Sequence, residues 1–571
     1  MRRDLLRLAP LAIAGALLLS GWLLLWLIAP ADGVIDPTAG QAIGTPTSWW
    51  GQTLTWLSVP GHSFNALPGM RQVPVGMALA VALAIVGLAY LGAILLLDRK
   101  LGAAAGAGAL VVSFALVFQI TLLLRPSVIN PDVLFYLGYG QLGGVHGLNP
   151  YQSTFQVLAG EPLLELAIKA SDQGFRSLPS PYGALWTLIG VSIAPQLYPL
   201  TLWEQVLAYR LLMNGAHIAS LGLVWWLLGR TLGAHAGGRA RLTAFTMFAW
   251  NPLLLLEVSG NAHNDGLMLT LLLVALVPLT GMIPRGNRPG AASLSWRTNL
   301  RWLASFVFIS LSVLVKYATG VVGLIGAVVW LRELRGARAR TAWLSLAALL
   351  AGALTAGLYA RWFVGPDVLV TAFEEVTGRY IVHSIPGLIQ DELSEYLLKA
   401  TTLTPAAADQ AARVWVGVST QLVFLIYLGW ELRRLWSRTD GSLIIRTISE
   451  TSARVMLVLL LLVVTQLHSW YFSWPLTLVA LLGWRHSLSR VVVGYSLTAM
   501  GIEYLALFDW YAAAPWAVRI LLRVVAVMLP LVAVVLTGPR AVRRLIWAVT
   551  PARSLCSTVA DRLAGAVESA S

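Results

Sequence analysis

Residues 75–97 read VGMALAVALAIVGLAYLGAILLL, a run with no charged side chain and a single hydroxyl. A helix needs about 20 consecutive apolar residues to cross a hydrocarbon core of about 30 Å, and lipid offers no partner to an unpaired backbone amide. This run has that length, and comparable runs recur from one end of the sequence to the other. Of the 571 residues, 57% are hydrophobic and 12% are charged, whereas soluble domains hold roughly 45–50% apolar and about 25% charged residues. The sequence therefore predicts an all-α polytopic membrane protein, one helical bundle with loops rather than a string of soluble domains.

Working outward from that run gives expected spans at 8–29, 75–97, 103–124, 207–229, 242–259, 266–284, 302–319, 320–334, 342–363, 413–431, 454–470, 472–486, 491–508 and 517–538. The stretch 181–199 is apolar too, but prolines bracket it and Gly183, Gly190 and Pro195 interrupt it. If it lies on the surface, the chain makes about 14 crossings with both termini on one side; if it spans, every later loop changes sides. Charge decides between these readings. In the first, about 28 of the 40 Lys and Arg flank short loops on the side of the N-terminus, as expected of cytoplasmic loops. The second puts basic clusters on both faces. The expectation is about 14 transmembrane helices with both termini cytoplasmic.

The same clustering explains the net charge of +14: the basic residues, almost all arginine, sit between apolar runs and read as topology signals rather than a nucleic-acid footprint. The N-terminal MRRDLLR precedes an apolar run too long for a signal peptide, ending in Ala29-Pro30-Ala31, and reads as an uncleaved first helix. Cys556 is the only cysteine, so no intrachain disulfide can form.

Two long loops face outward, about 125–206 and 364–412. Each carries a candidate amphipathic surface helix, at Glu161–Ala170 and Ile389–Lys399. The Ala/Gly-rich stretch 102–109 reads as close helix packing, and no internal repeat of transporter type is visible.

This topology brings separated polar motifs to the outer face. They are Asn130-Pro131-Asp132 with Tyr136, Gly147-Leu-Asn149-Pro-Tyr151, Asn251-Pro252 followed by Glu257 and Asn261-Ala-His263-Asn264-Asp265, Lys316-Tyr317, and His468-Ser-Trp470-Tyr471. Polar groups at membrane depth are costly and usually face a cavity or mark a site. Lys316 either snorkels to the interface or contacts a lipid phosphate. The Asn261–Asp265 cluster offers a metal only His263 and Asp265, so it reads as sugar recognition or as a network tying two helix ends, with no metal expected. Asp132 is either a general base for a sugar hydroxyl or, with Asn130, a helix cap.

These motifs, in this order, resemble the GT-C superfamily of polytopic glycosyltransferases, closest to the bacterial polyprenyl-phosphomannose-dependent α-1,6-mannosyltransferases of lipomannan assembly. The Asn-x-His-Asn-Asp element after Asn-Pro is the most specific part, and the resemblance covers roughly residues 100 to 510. It divides the chain into two additional N-terminal helices with an outer loop (1–100), a GT-C-like catalytic core (101–510), and a last helix with a basic cytoplasmic tail (511–571). Two departures bear on donor and acceptor: Lys316-Tyr317 is followed by Ala-Thr, and Ser180-Pro181-Tyr182-Gly183 stands where the family has Tyr-Pro-Pro.

The resemblance implies a bacterial cytoplasmic-membrane enzyme with its site on the extracytoplasmic face. It would move a sugar, mannose by resemblance, from a polyprenyl phosphate donor to a glycan or glycolipid acceptor, with inversion, without a cofactor, and with Asp132 as general base. Tyr136, Asn149, Tyr151, Asn261, His263, Asn264, Asp265, His468, Trp470 and Tyr471 would then line the substrate site. Lys316, Arg379, Arg519 and Arg523 would hold the phosphate. The last two are four apart on one helix face and serve equally as interfacial anchors. Trp470 and Tyr471 taken singly fit interfacial anchoring as well. The rivals are a flippase or transporter of lipid-linked sugars, and a GT-C enzyme using another sugar such as arabinofuranose. A flippase would place polar residues and broken helices at mid-membrane depth rather than at outer helix ends.

Overall fold

A computed structural model describes residues 2–27, 75–101, 104–125, 130–161, 163, 179–232, 237–282, 295–334, 336–362, 384–438, 443–464, 467–506, and 521, 524, 525 and 527–530. Every regular element among them is helical. In chain order these are α1 (Arg2–Leu27), α2 (Val75–Leu96), α3 (Ala107–Leu123), α4 (Asp132–Gly144), α5 (Ala184–Leu197), α6 (Leu202–Thr231), α7 (Gly237–Ala249) and α8 (Asp265–Leu276). There follow α9 (Trp296–Val313), α10 (Gly320–Glu333), α11 (Ala337–Tyr359), α12 (Ile385–Ala400), α13 (Pro405–Ser437), α14 (Ile444–Leu462), α15 (Ser473–Ala480) and α16 (Ser487–Ala506).

Among the described residues, α1, α2, α6, α11 and α13 are long and apolar enough to cross a membrane, and six spans result if α7 and the bent Pro252–Gly260 piece count as one. The protein is a membrane protein of all-helical build. Fewer long spans stand here than the fourteen expected, and the reason is local breaks. The expected span 302–319 stops at Val313, after which Lys316 is extended (φ −155°, ψ 133°). Expected span 472–486 holds only α15, whose eight residues rise about 12 Å. The last expected span, 517–538, lies largely outside the described residues.

The doubtful stretch 181–199 is α5, fourteen residues with Pro195 inside, about 21 Å long and short of the hydrocarbon thickness. It lies against α4 along a seam of small residues. A Cβ on Gly140 would stand 2.9 Å from the Gly190 carbonyl oxygen, and one on Gly144 would stand 2.3 Å from that of Val191. Glycines four apart thus let two backbones touch, as small residues do in membrane bundles.

Caps set where the other elements begin. Thr201 and Glu204 form a reciprocal capping box at the start of α6. From α6, the buried Arg210 donates to the carbonyls of Leu123 and Arg125, placing a cation at the C-terminus of α3. Ser384 caps α12, so the second outward stretch, 389–399, is helical. The first, Glu161–Ala170, falls almost wholly outside the described residues.

Candidate active site

Asp132 opens α4, and its backbone N–H is taken by the Asn130 side chain at 3.0 Å. Pro131 stands at the cap position, with no side-chain cap hydrogen bond, so the Asp132 carboxylate does not cap the helix. It stands 15% exposed, whereas the Glu257 and Asp265 carboxylates nearby are 1% exposed. Asp132 Oδ2 lies 3.4 Å from His263 Nδ1. Tyr136, one turn further along α4, brings its buried hydroxyl to 3.5 Å from both Asp132 Oδ2 and His263 Nδ1, and to 3.3 Å from Asn264 Oδ1.

The partners of Asp132 arrive through a broken helix. Asn251 accepts from the Leu253 and Leu254 amides while Pro252 fills the first position, where proline's missing N–H costs nothing. A π-helical turn, Leu255–Gly260, follows. Such turns insert an extra residue and are frequent at functional sites. This one carries Glu257 into the core, and the chain then reverses through Ala262, the only non-glycine with positive φ (60°) among the described residues. Left-handed backbone at alanine costs about 1–3 kcal/mol and is held only by its surroundings.

Glu257 is fully buried. Its carboxylate accepts from Tyr504 OH at 2.7 Å, Asn261 Nδ2 at 2.9 Å and Ser469 Oγ at 3.0 Å. His263 Nε2 stands 3.2 Å from it, an ion-pair contact rather than a well-aligned hydrogen bond. Burial alone would keep His263 neutral, but contacts with Asp132 and Glu257 push its pKa up to about 9. Burial would likewise raise the Asp132 carboxyl, but the His263 hydrogen bond and charge, with Lys316 and His468 beyond, hold it below the usual carboxylate range. Both groups lie in connections outside the candidate spans.

Asp265 begins α8, where the helix dipole favours negative charge. It accepts from Lys316 Nζ at 3.0 Å and from the Trp474 indole. Lys316 itself lies 4.8 Å from the centre of the Tyr471 ring. His468 and His263 sandwich Trp470, with ring centres 4.1 and 4.3 Å away, and His468 Nδ1 meets Glu503 at 2.9 Å. Among the described residues, no three His, Cys, Asp or Glu side chains form a metal-binding group.

Asp132, Tyr136, Asn261, His263, Asn264, Asp265, Lys316, His468, Trp470 and Tyr471 thus lie in one connected cluster. Asn149 and Tyr151 do not join it. The Asn149 amide donates to the Trp362 carbonyl at 2.9 Å, and the Tyr151 hydroxyl bonds to the Tyr182 carbonyl and Thr187. They belong to a second apolar cluster with Leu314, Tyr359 and Trp362, reaching the first through Tyr182, whose ring meets Tyr136 edge-on. Arg379, Arg519 and Arg523 lie outside the described residues. Sequence reasoning missed Ser469, Trp474, Glu503 and Tyr504. Glu503 carried a usable signal, an acid in the apolar run of α16.

The order of these motifs is met in known proteins. A family model described as the N-terminal domain of alpha-(1->6)-mannopyranosyltransferase matches residues 38–332, just over half of the chain. An alpha-(1->6)-mannopyranosyltransferase of Mycobacterium tuberculosis is 28% identical over 180 residues, 32% of this chain and 29% of that protein. A Mycolicibacterium smegmatis relative is 28% identical over 36% of each chain. Alpha-(1->6)-mannopyranosyltransferase A of M. tuberculosis is 25% identical over 398 residues, 67% of each. The chain aligns with about a third of the length of the first two relatives. No solved structure matches. Since the family model takes in more than half of the sequence, including the helix of Asp132 and the turn that carries His263, this chain belongs to the alpha-(1->6)-mannopyranosyltransferase family.

Proposed function

We propose that the protein transfers mannose from a polyprenyl phosphate carrier to a hydroxyl of a glycan or glycolipid acceptor. The family match and the relatives' names support the mannosyl chemistry. The observation that carries the reading is the Asp132 carboxylate, ionised, partly exposed and fixed by His263 beside a lysine. As the acceptor oxygen bonds to C1, Asp132 takes its proton. The bond from C1 to the phosphate oxygen breaks with its electron pair, and the configuration at C1 inverts. The leaving phosphate is a stable anion needing a cation rather than an acid, a task for Lys316 with Arg379, Arg519 and Arg523.

In this reading the chain makes 14 crossings with both termini cytoplasmic, and the polar cluster faces the extracytoplasmic side, where the lipid carrier presents its sugar. The arginine-rich short loops support that orientation. Asn261, His263, Asn264, Asp265, His468, Trp470 and Tyr471 line the sugar, and Asn149 with Tyr151 shape the acceptor side.

The test is transfer from synthetic polyprenyl-phosphomannose to mannose oligosaccharides by purified wild type and Asp132→Asn with matched thermal melting. A loss of about a hundredfold or more fits removal of a general base; equal rates assign the base elsewhere. Transfer from an arabinofuranosyl donor alone changes the sugar, and lipid binding without any transfer favours a flippase.

A further inference from the structure

We propose that Glu257 and His263 act together as positioning residues, Glu257 holding the His263 ring so that its Nδ1–H faces Asp132 Oδ2. This rests on the reading of Asp132 as the base.

The argument begins with the carboxylate that has no access to substrate. Glu257 is fully buried, and a buried charge persists only where it is paired and hydrogen-bonded. Its three hydrogen-bond donors come from three different places: Asn261 in the turn after the π-helix, Ser469 in the 3-10 turn before α15, and Tyr504 on α16. The fourth neighbour is His263 Nε2 at 3.2 Å.

On the other side of the ring, Nδ1 stands 3.4 Å from Asp132 Oδ2. A neutral imidazole has one N–H, so with carboxylates at both nitrogens only the doubly protonated ring serves both. The ring cannot swing away. Trp470 stacks on its face at 4.3 Å, and the His263 amide donates to the Glu257 carbonyl at 3.0 Å. One residue therefore fixes both the backbone and the side chain of His263. The strained Ala262 just before it fits a turn kept for its geometry.

The groups facing the His263 ring are Asp132 and Tyr136 from α4, Glu257 from the π-helical turn and Trp470 from the 3-10 turn. Lys316, Asp265 and His468 supply the next nearest charges along the cluster. With its protein contacts gathered on Oδ2, Asp132 presents Oδ1 to an acceptor hydroxyl. The imidazolium keeps its own protons throughout and exchanges none with the substrate.

The test measures mannosyl transfer against pH for wild type, Glu257→Gln and Tyr504→Phe, with 13C-histidine NMR following the His263 ring, assigned through His263→Gln. Glu257→Gln removes the charge behind the ring. It is expected to lower kcat about tenfold or more with donor KM unchanged, and to move the alkaline limb and the ring titration to lower pH. Tyr504→Phe removes one donor from the same carboxylate, leaving more of its charge to face the ring, and moves both to higher pH. A packing role would leave both limbs in place while melting temperatures fall, and that result overturns the proposal. If Glu257→Gln does not fold, an unmoved limb in Tyr504→Phe overturns it alone. If wild type moves no mannose, the NMR titration still decides: opposite shifts in the two variants keep the clamp while the donor reading fails, and unmoved titrations remove both.

Discussion

Lys316 Nζ lies 3.0 Å from Asp265 Oδ2, so the cation proposed to meet the donor phosphate already holds a carboxylate. The two sit at facing helix ends, Lys316 in the break after α9 and Asp265 at the first residue of α8. An anion arriving at Lys316 thus meets a charge that has been paired and oriented beforehand, with Tyr471 and Trp474 walling it in.

Lys316→Met leaves Asp265 buried with the Trp474 indole and no cation. Breaking one side of a buried ion pair costs about 3–5 kcal/mol, so a marked fall in melting temperature is expected. Adding Asp265→Asn restores most of that stability and none of the donor affinity. Thermal melting and donor KM separate the two effects; recovery of KM in the double variant contradicts a phosphate role for Lys316.

Gly183→Ala tests the seat of this lysine. A Cβ on Gly183 would stand 2.2 Å from the Leu314 carbonyl oxygen, and the Gly183 amide donates to the Val315 carbonyl at 3.2 Å. Backbone cannot yield as a flexible side chain does, so a loss of about 1–3 kcal/mol is expected, with a higher donor KM because Leu314–Lys316 shifts. Gly222→Ala on α6, where a Cβ meets nothing within 4 Å, is the control and is expected to be neutral or to stabilise by about 0.5–1 kcal/mol.

The pH dependence follows from two shifts of opposite sense. Asp132 is held below the usual carboxylate range. Its contribution is present above its ordinary value near 4 and is lost only as pH falls through the depressed one. His263 is raised to about 9; its contribution is full below its ordinary 6.5 and is lost as pH rises through 9. Transfer should be level between about pH 5 and 8 and fall as pH approaches 9, whereas melting temperature should be highest below about pH 6.5 and decline from there to about pH 9. A transfer profile that instead falls near pH 6.5 would show His263 titrating without its carboxylates.

Glu503→Gln addresses a residue the motifs did not flag. Its 2.9 Å contact orients His468, which stacks on Trp470 and so on His263. Losing that contact frees His468 from its place on Trp470, so a rate loss of about tenfold is expected together with a modest fall in melting temperature. An unchanged rate assigns the pair to packing.

The membrane class and the polar cluster were legible in the sequence because apolar length and polar interruption are both local signals. Residues 75–97 give α2, and Asn261–Asp265 gives the densest part of the site. What was not legible depends on which helix end faces which. Nothing local says that neither Asn130 nor Asp132 caps α4, since both are cap-forming types two residues apart. Asn149 and Tyr151 bond to Trp362, Tyr182 and Thr187, more than 30 positions away in two cases and 213 in the third, pairings no local pattern announces. Tyr504 joined the site from 247 positions away, a distance no spacing rule covers. Hydropathy also overstated span lengths, because it does not register the extended step at Lys316 or the turn that ends α15.

The glycine seam holds α4, which Asp132 opens, in backbone contact with α5. Both helices are too short to match a bilayer, so neither can tilt to follow its thickness as a crossing helix does. They are clasped backbone to backbone, and their height is set by the protein surfaces beneath them. In vesicles of shorter or longer acyl chains, the crossing helices will adjust while the carboxylate keeps its distance from His263. On the proposed reading, lipid thickness is expected to change how readily the lipid-linked donor reaches Asp132 and to leave the Asp132–His263 contact as it is.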